Sequence, residues 1–210
     1  MTRLVIDTCL GACQVGLADG GRMIAGASEP MERGHQERLA PMAAEVMSGA
    51  GAAFADLELV AVTIGPGSFT GLRVGLAFAR GVALASGAPL AGIGTLTALA
   101  ASANGLAAAA IDARRGHVYV QAFEGGRPLF APDILTLPDA ADRLQGLGGG
   151  ALTLIGPGAA LLGELVAGAA VDPRPAPDLA ALGRLAAAAA PTPDVRPLYL
   201  RAPDAKPMLP

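Results

Sequence analysis

Runs of aliphatic and β-branched residues recur along this chain, each cut short by glycine, proline or an acidic residue. Leu4 to Asp7 is the first, a short apolar strand ending in a carboxylate. A turn through Leu10 to Ala12 leads to Gln14 to Ala18, and Gly20-Gly21 leads on to Met23 to Ala27. Three strands joined by such short turns predict an antiparallel meander. Past the loop at Pro30 to Gly34, apolar residues fall at Leu39, Met42, Ala43, Val46, Met47 and Ala50, the i, i+3, i+4, i+7 series of an amphipathic helix. Pro41 lies within its first two turns, where it is tolerated if the helix begins near Glu37 or Arg38. Leu59 to Ile64 shows no polar alternation and reads as a strand buried on both faces. Leu90 to Ile93 reads as another buried strand, with Thr95 as N-cap to a helix from Leu96 to Ala103.

Between those two strands lies GPGSFTGLRVG, residues 65 to 75. Gly65, Pro66 and Gly67 stop the strand, because proline cannot donate to a sheet ladder and glycine permits a tight turn. Ser68 or Thr70 is placed to cap the helix that follows. On that helix Leu72, Val74, Gly75, Leu76, Phe78, Ala79, Gly81, Val82 and Ala83 cover most of the circumference, and Arg73 and Arg80 mark its polar edge. A helix so apolar predicts burial on more than one side, one against its own sheet and another against a neighbouring molecule. Gly71, Gly75 and Ala79 recur every four residues, a spacing that lets another helix approach closely. The glycine turn itself has two readings. A helix N-terminus of this kind is an anion site, since its free N–H groups and dipole favour phosphate; alternatively the glycines only let strand and helix pack closely, and the Walker lysine is absent.

The second half repeats the opening in outline. Ala107 to Asp112 is a strand with an acidic end, Arg114-Arg115-Gly116 a tight turn, and His117 to Phe123 a partner strand. Then come a helix over Pro138 to Leu144, a glycine run at 148 to 150, a strand Leu152 to Ile155, a second GPG at 156 to 158, and a helix Ala160 to Val166. DPRPAP at 172 to 177 reads as an extended linker and Leu179 to Ala190 as a last helix. The tail, Pro191 to Pro210, is too rich in proline to be regular; its PLYLR at 197 to 201 can dock as an extended segment but cannot form a core.

Composition narrows the function. The chain has 210 residues, enough for one domain with a full core or two small lobes. Charged residues make up 16% and the formal charge is −3, with no basic arm, so the chain is a poor candidate for gripping nucleic acid alone. Charges at Arg3 and Asp7 within the first apolar run argue against a secretory signal, and no long uninterrupted apolar run predicts a membrane span; a cytoplasmic location is the default expectation. Cys9 and Cys13 lack a second ligand pair, which argues against zinc and for two small buried residues. His35 near a helix start and His117 in a strand read as surface or hydrogen-bonding groups before metal ligands.

Four segments together resemble the TsaB (YeaZ) family: IDT at 6 to 8, GPGSFTGLRVG at 65 to 75, DARRGHVY at 112 to 119 and PLYLR at 197 to 201. The likeness covers nearly the whole chain and is strongest over residues 1 to 120; the eleven-residue segment is its specific signal. The resemblance implies the α/β actin, sugar-kinase and Hsp70-like (ASKHA) fold in two small lobes, 1–104 and a reduced C-terminal lobe, 105–210, with the extended tail. It implies a non-catalytic scaffold subunit needed, with TsaD and the ATPase TsaE, to transfer a threonylcarbamoyl group to the tRNA adenosine next to the anticodon. Catalytic members of the fold place an Asp at the end of the first strand against nucleotide phosphate and metal, so Asp7 and Thr8 become a relic nucleotide cleft. The paralogue TsaD holds its metal with two histidines four apart, and here Thr95 and Leu99 stand at those positions; a leucine cannot coordinate metal.

The resemblance further implies no cofactor of the chain's own, with ATP and metal on partner subunits, and tRNA met only through the complex. TsaD would pair with the helices 36 to 50 and 69 to 86 through Leu39, Met42, Val46, Leu72, Val74, Gly75, Leu76, Phe78, Ala79 and Val82. Without TsaD the same face would form a homodimer. Arg114 and Arg115 either touch tRNA or cap a hairpin. The alternative class is an enzyme of the same fold, a small acyl- or phosphoryl-transferase or a glycoprotease-like peptidase. Ser68, its candidate nucleophile, has no basic partner identifiable in sequence.

Overall fold

The computed structural model describes residues 1–148 and 150–201. Its first sheet begins as the predicted meander, β1 (Thr2–Asp7), β2 (Ala12–Asp19) and β3 (Arg22–Pro30), with Leu4 opposite Leu17 and Ile6 opposite Val15. Helix α1 (His35–Gly49) follows, starting at His35 behind Gly34 (φ 93°), so Pro41 falls two or three residues deeper than a start at Glu37 or Arg38 would place it. A 3-10 turn at Phe54–Asp56, not foreseen, leads to β4 (Leu59–Thr63), which lies parallel to β1. Helix α2 (Phe69–Ser86) is capped by Ser68, whose Oγ accepts from the Gly71 N–H at 3.2 Å, and ends at Gly87 in the left-handed region (φ 76°). Strand β5 (Leu90–Ile93) closes a sheet of order β3-β2-β1-β4-β5. Helix α3 (Thr95–Ala100) has Gly94 before it, so Thr95 is its first residue and not its cap; its N–H is taken by the Gly65 carbonyl.

The second sheet repeats this plan in smaller form. Strands β6 (Leu106–Arg114) and β7 (His117–Glu124) form the hairpin; β8 (Arg127–Pro128) and β9 (Asp133–Thr136) both lie against β7. Then follow α4 (Leu137–Gln145), β10 (Thr153–Ile155) parallel to β6, α5 (Ala159–Gly163), and β11 (Ala170–Asp172) parallel to β10. Lobe for lobe, β6 and β7 stand where β1 and β2 do, β10 and β11 where β4 and β5 do, and the five-residue α5 where the 18-residue α2 does. The C-terminal lobe is therefore the reduced one. Of the glycine run at 148 to 150, Gly149 lies outside the described residues, as do residues 202–210 of the tail.

Each sheet buries both faces. Against α1 and α2, the first sheet sets Leu4, Ile6, Val15, Leu17, Val60 and Val62; its other face sets Val5, Ala61 and Ile93 against Leu182 and Ala186 of α6 (Leu179–Ala188). Helix α3 meanwhile crosses to the second sheet, where Leu96 and Leu99 meet Ala107, Ala109, Ile111 and Ile155. The lobes thus exchange their last helices. A division at residue 104 describes the strands only, and the structure corrects it for the chain after residue 178, which returns to the first lobe. The tail continues that return: the Thr192 N–H bonds the Leu90 carbonyl at 2.8 Å, the Leu198 N–H bonds the Ile64 carbonyl at 2.7 Å, and Val195 is a buried member of the first core. PLYLR docks extended, as expected, but the proline-rich segment does contribute to a core.

Candidate functional site

At the end of β1, where the relic nucleotide cleft was expected, Asp7 and Thr8 are buried, while Cys9 and Leu10 after them border a recess shared with Gly67, Ser68, Asp112 and Tyr119. Asp7 is fully buried; its Oδ1 accepts from Thr63 Oγ1 at 2.5 Å and from the Cys9 N–H at 3.2 Å, and its Oδ2 has no partner. Burial pushes its pKa up, and the bonds from Thr63 and Cys9 oppose that only in part. Thr8, also buried, donates to the Gly71 carbonyl at 2.7 Å. The Cys9 carbonyl accepts from the Ser68 N–H at 2.7 Å, and the Gly11 N–H is taken by the Pro175 carbonyl at 3.1 Å. The turn after β1 is thus bonded to the start of α2 on one side and to the 172–177 segment on the other. Asp7 and Thr8 themselves are therefore closed off, one residue from that recess.

The same contacts decide what the glycines of GPGSFTGLRVG do. A Cβ on Gly67 would run into the Cys9 carbonyl, one on Gly71 into the Thr8 carbonyl and one on Gly75 into Thr8 Oγ1. These residues let α2 seat its first turns on the β1–β2 turn, so close packing within the lobe accounts for them. Ser68 Oγ is engaged as the helix cap. Thr95 and Leu99 are both fully buried between the lobes, and among the described residues no group of three His, Cys, Asp or Glu could hold a metal ion. Cys9 and Cys13 are free and buried, with burial pushing the Cys9 thiol up to about 12.

Arg114 and Arg115 form the turn of the second hairpin, both with positive φ (66° and 55°). For residues with a Cβ that conformation is costly, on the order of 1–3 kcal/mol each. Asp112 holds it locally, accepting from the Arg114 N–H at 2.7 Å and from its guanidinium at 3.2 Å. Arg114 is exposed and borders a recess of about 330 Å³ with Ser68, Tyr119 and Pro157.

On the α1–α2 face the structure divides the ten predicted partner residues. Leu39, Met42, Val46, Leu72, Gly75, Leu76 and Ala79 are buried in the lobe's own interior and are not available to a partner, because they are the residues that hold the helices to the sheet. Val74, Phe78 and Val82 are half-exposed. Phe78 and Val82 line a shallow apolar groove of about 510 Å³ whose other walls are Ala40 and Ala44 from α1, Phe54, and Gly81 and Ala85 from α2. Beside it Leu84 is 88% exposed. The predicted small-residue stripe Gly71-Gly75-Ala79 points inward; the outward one is Ala77-Gly81-Ala85, facing solvent at the same four-residue spacing. That second stripe was visible in the sequence, and choosing between the two required knowing which side of α2 meets the sheet. Arg38 edges α1, paired with Glu29 at 2.6 Å and Glu45 at 2.7 Å.

Among the described residues no helix is long and apolar enough to cross a membrane. The family model for TsaD, tRNA N6-adenosine threonylcarbamoyltransferase, matches residues 29–145. The chain is 40% identical over 124 residues to the tRNA threonylcarbamoyladenosine biosynthesis protein TsaB of Escherichia coli, a match covering 57% of this chain and 53% of that protein. It therefore spans about half the length of that curated relative. Among solved structures, YeaZ from Pseudomonas aeruginosa superposes with a TM-score of 0.82 at 28% identity, over 95% of this chain and 99% of that one. ROK hexokinase from Thermus thermophilus superposes with a TM-score of 0.51 at 15% identity, over 90% and 98%, a likeness of fold alone.

Proposed function

Because the chain belongs to the TsaB (YeaZ) family, we propose that it is the non-catalytic scaffold subunit of a threonylcarbamoyl transferase, working with TsaD and TsaE on the tRNA adenosine next to the anticodon. The observation that carries this reading is the α1–α2 face. Ala40, Ala44, Phe78, Gly81, Val82 and Ala85 form an unfilled apolar groove next to the exposed Leu84, where a soluble monomer would be expected to turn polar side chains outward. Small residues on both helices suit a partner that also presents helices, because they let the backbones approach. TsaD, a paralogue with equivalent helices, fits that description, and a second copy of this chain would occupy the face when TsaD is absent.

The scaffold role is supported by the burial of Asp7 and by Leu99. The Asp7 carboxylate is buried and a leucine stands at position 99, so on this reading ATP and metal would reside on the partner subunits. The peptidase alternative is weakened, since Ser68 Oγ serves as the α2 cap. Tagged chain is expected to retain TsaD from its own cells, while Gly81→Leu, which fills the groove without touching the lobe interior, is expected to release it. Full retention by that folded variant would mean TsaD sits elsewhere. Incubated alone with threonylcarbamoyl-adenylate and tRNA, the chain is expected to form no modified tRNA; turnover above buffer would return the enzyme reading.

A further inference from the structure

Of the five phenylalanines and two tyrosines in the chain, Phe69 and Tyr199 are the two that lie exposed, at 54% and 48%. They come from distant parts of the sequence and meet, their ring centroids 5.7 Å apart and their planes tilted by 36°. Arg73, one turn along α2, lies with its guanidinium carbon 3.6 Å from the Phe69 ring centre, and its Nε donates to the Tyr199 hydroxyl at 3.1 Å. The tail is held here by bonds that do not involve the rings: the Leu198 N–H bonds the Ile64 carbonyl, and Arg80 Nη2 donates to the Val195 carbonyl at 2.7 Å. Arg73 is exposed and, among the described residues, has no carboxylate within ion-pair distance and no hydrogen-bond partner for Nη1 or Nη2. By contrast Arg38, Arg114, Arg143, Arg174 and Arg196 are each paired with an acid.

A guanidinium fixed by an aromatic ring and a hydroxyl, with its outer nitrogens free, is arranged to meet an oxyanion. The exposed rings beside it offer flat apolar surface on which an unpaired nucleobase stacks. An anion next to a flat base is what one nucleotide of a single strand presents, whereas a paired duplex keeps its base faces stacked inside. With a formal charge of −3 the chain does not hold RNA by a broad positive field, so the contact is local, adding one or two nucleotides to what a complex grips. We propose that Phe69, Arg73 and Tyr199 form a contact for single-stranded RNA, a base stacked on the aromatic pair and a neighbouring phosphate held by Arg73. Taking the anticodon loop as that strand rests on the tRNA role proposed above.

The test uses the full chain, isotope-labelled and without a partner, at low salt, where a contact of few phosphates is best seen. An RNA anticodon stem-loop and a fully paired RNA duplex of equal length are titrated in while amide, guanidinium and ring signals are followed. Saturable shifts are expected at Phe69, Arg73 and Tyr199, with the stem-loop tighter than the duplex by about fivefold or more. Arg73→Gln and Tyr199→Ala should each weaken stem-loop binding by about fivefold or more while melting near wild type. Tyr199→Phe keeps the ring and gives up the bond to Arg73, so it should weaken binding less than Tyr199→Ala. Arg196→Gln, which removes a tail arginine already paired with Asp194, should leave binding unchanged. The proposal is overturned by the absence of shifts at these residues, by equal affinity for loop and duplex, or by equal losses in Arg196→Gln and Arg73→Gln. Full binding by folded Tyr199→Ala also overturns it and would mean that the rings only anchor the tail. Shifts produced there by purified TsaD and not by RNA would assign the surface to a protein instead. Retention of TsaD by the tagged chain is read separately: a chain that retains TsaD but binds no RNA refutes this contact alone, and one that binds RNA but not TsaD refutes the scaffold reading alone.

Discussion

Three glycines on α2 look interchangeable in sequence and are not. Gly71 and Gly75 press on Thr8, whereas a Cβ on Gly81 would meet nothing within 4 Å. Gly71→Ala is expected to destabilise the chain by about 1–3 kcal/mol, the usual range for forcing extra volume into a packed contact. Gly81→Ala should be neutral or stabilising by about 0.5–1 kcal/mol, since helical glycine gives way to a better helix former. Urea denaturation of the two variants reads the difference, and equal effects would mean α2 is rotated from its described placement. The same division separates Leu76 from Phe78. Leu76→Asp puts an unpaired charge in the core and should unfold the lobe; Phe78→Asp should melt near wild type and lose helix-face association in sedimentation and TsaD pull-down. Asp7 supplies a pH signature. Its folded pKa lies above the unfolded value of about 3.9, so its contribution to stability is fully present below that value and is lost as pH rises through the folded pKa. Asp7→Asn should therefore flatten the acid-to-neutral fall in stability, and parallel curves for the two proteins would mean the carboxyl is not perturbed by burial.

The strands were legible because two-sided burial leaves runs such as Leu59 to Ile64 without polar alternation, and the start of α2 because Ser68 punctuates it; α1 and α3 begin earlier than expected, behind Gly34 and Gly94. What escaped detection lies where side chains carry no such mark. Strand β9 (DILT) is half-exposed throughout, β8 is two residues long, and β11 gains its strand character only by pairing with β10. Helix α6 was recognised as a helix, but its alanine-rich sequence does not say which sheet it covers. Its placement changes what truncation does. A chain ending at Asn104 retains α1 and α2 but lacks Leu182, Ala186 and Val195, leaving one face of the first sheet bare and a gap in the core on the other. Expressed alone, residues 1–104 are expected to be insoluble, whereas the full chain with Leu182→Ala should remain folded and lose about 2–5 kcal/mol. A soluble, TsaD-binding fragment of 104 residues would show that α6 is dispensable. For the site, the excess of apolar residues on α2 was readable, but which side turns outward was not, because the rotation of a nearly all-apolar helix is fixed by contacts such as Gly71 to Thr8 and not by its own pattern.

The exchange of α3 and α6 sets how the two lobes behave together. Each sheet is covered on one face by a helix whose chain neighbours belong to the other lobe, and the core around Leu96, Leu99 and Leu72 takes residues from both. The segment 172–177 is bonded across the junction as well, through Pro175 to Gly11 and through Arg174 Nη1 to Ser102 at 2.5 Å. Such bracing favours a fixed relation between the lobes, in keeping with the scaffold role proposed above. The consequence is thermodynamic: neither lobe keeps a complete core once the other has opened, so the chain should unfold in one cooperative transition despite its two sheets. Calorimetry should give a calorimetric enthalpy equal to the van't Hoff enthalpy. Leu99→Ala, which removes volume from the core that α3 builds on the second sheet, should move that single transition to lower temperature without splitting it, and near- and far-ultraviolet dichroism should report the same midpoint. Two resolved transitions in the wild type, or a Leu99→Ala variant in which only half of the unfolding enthalpy shifts, would mean that the lobes are energetically separate and that the crossed helices do not couple them.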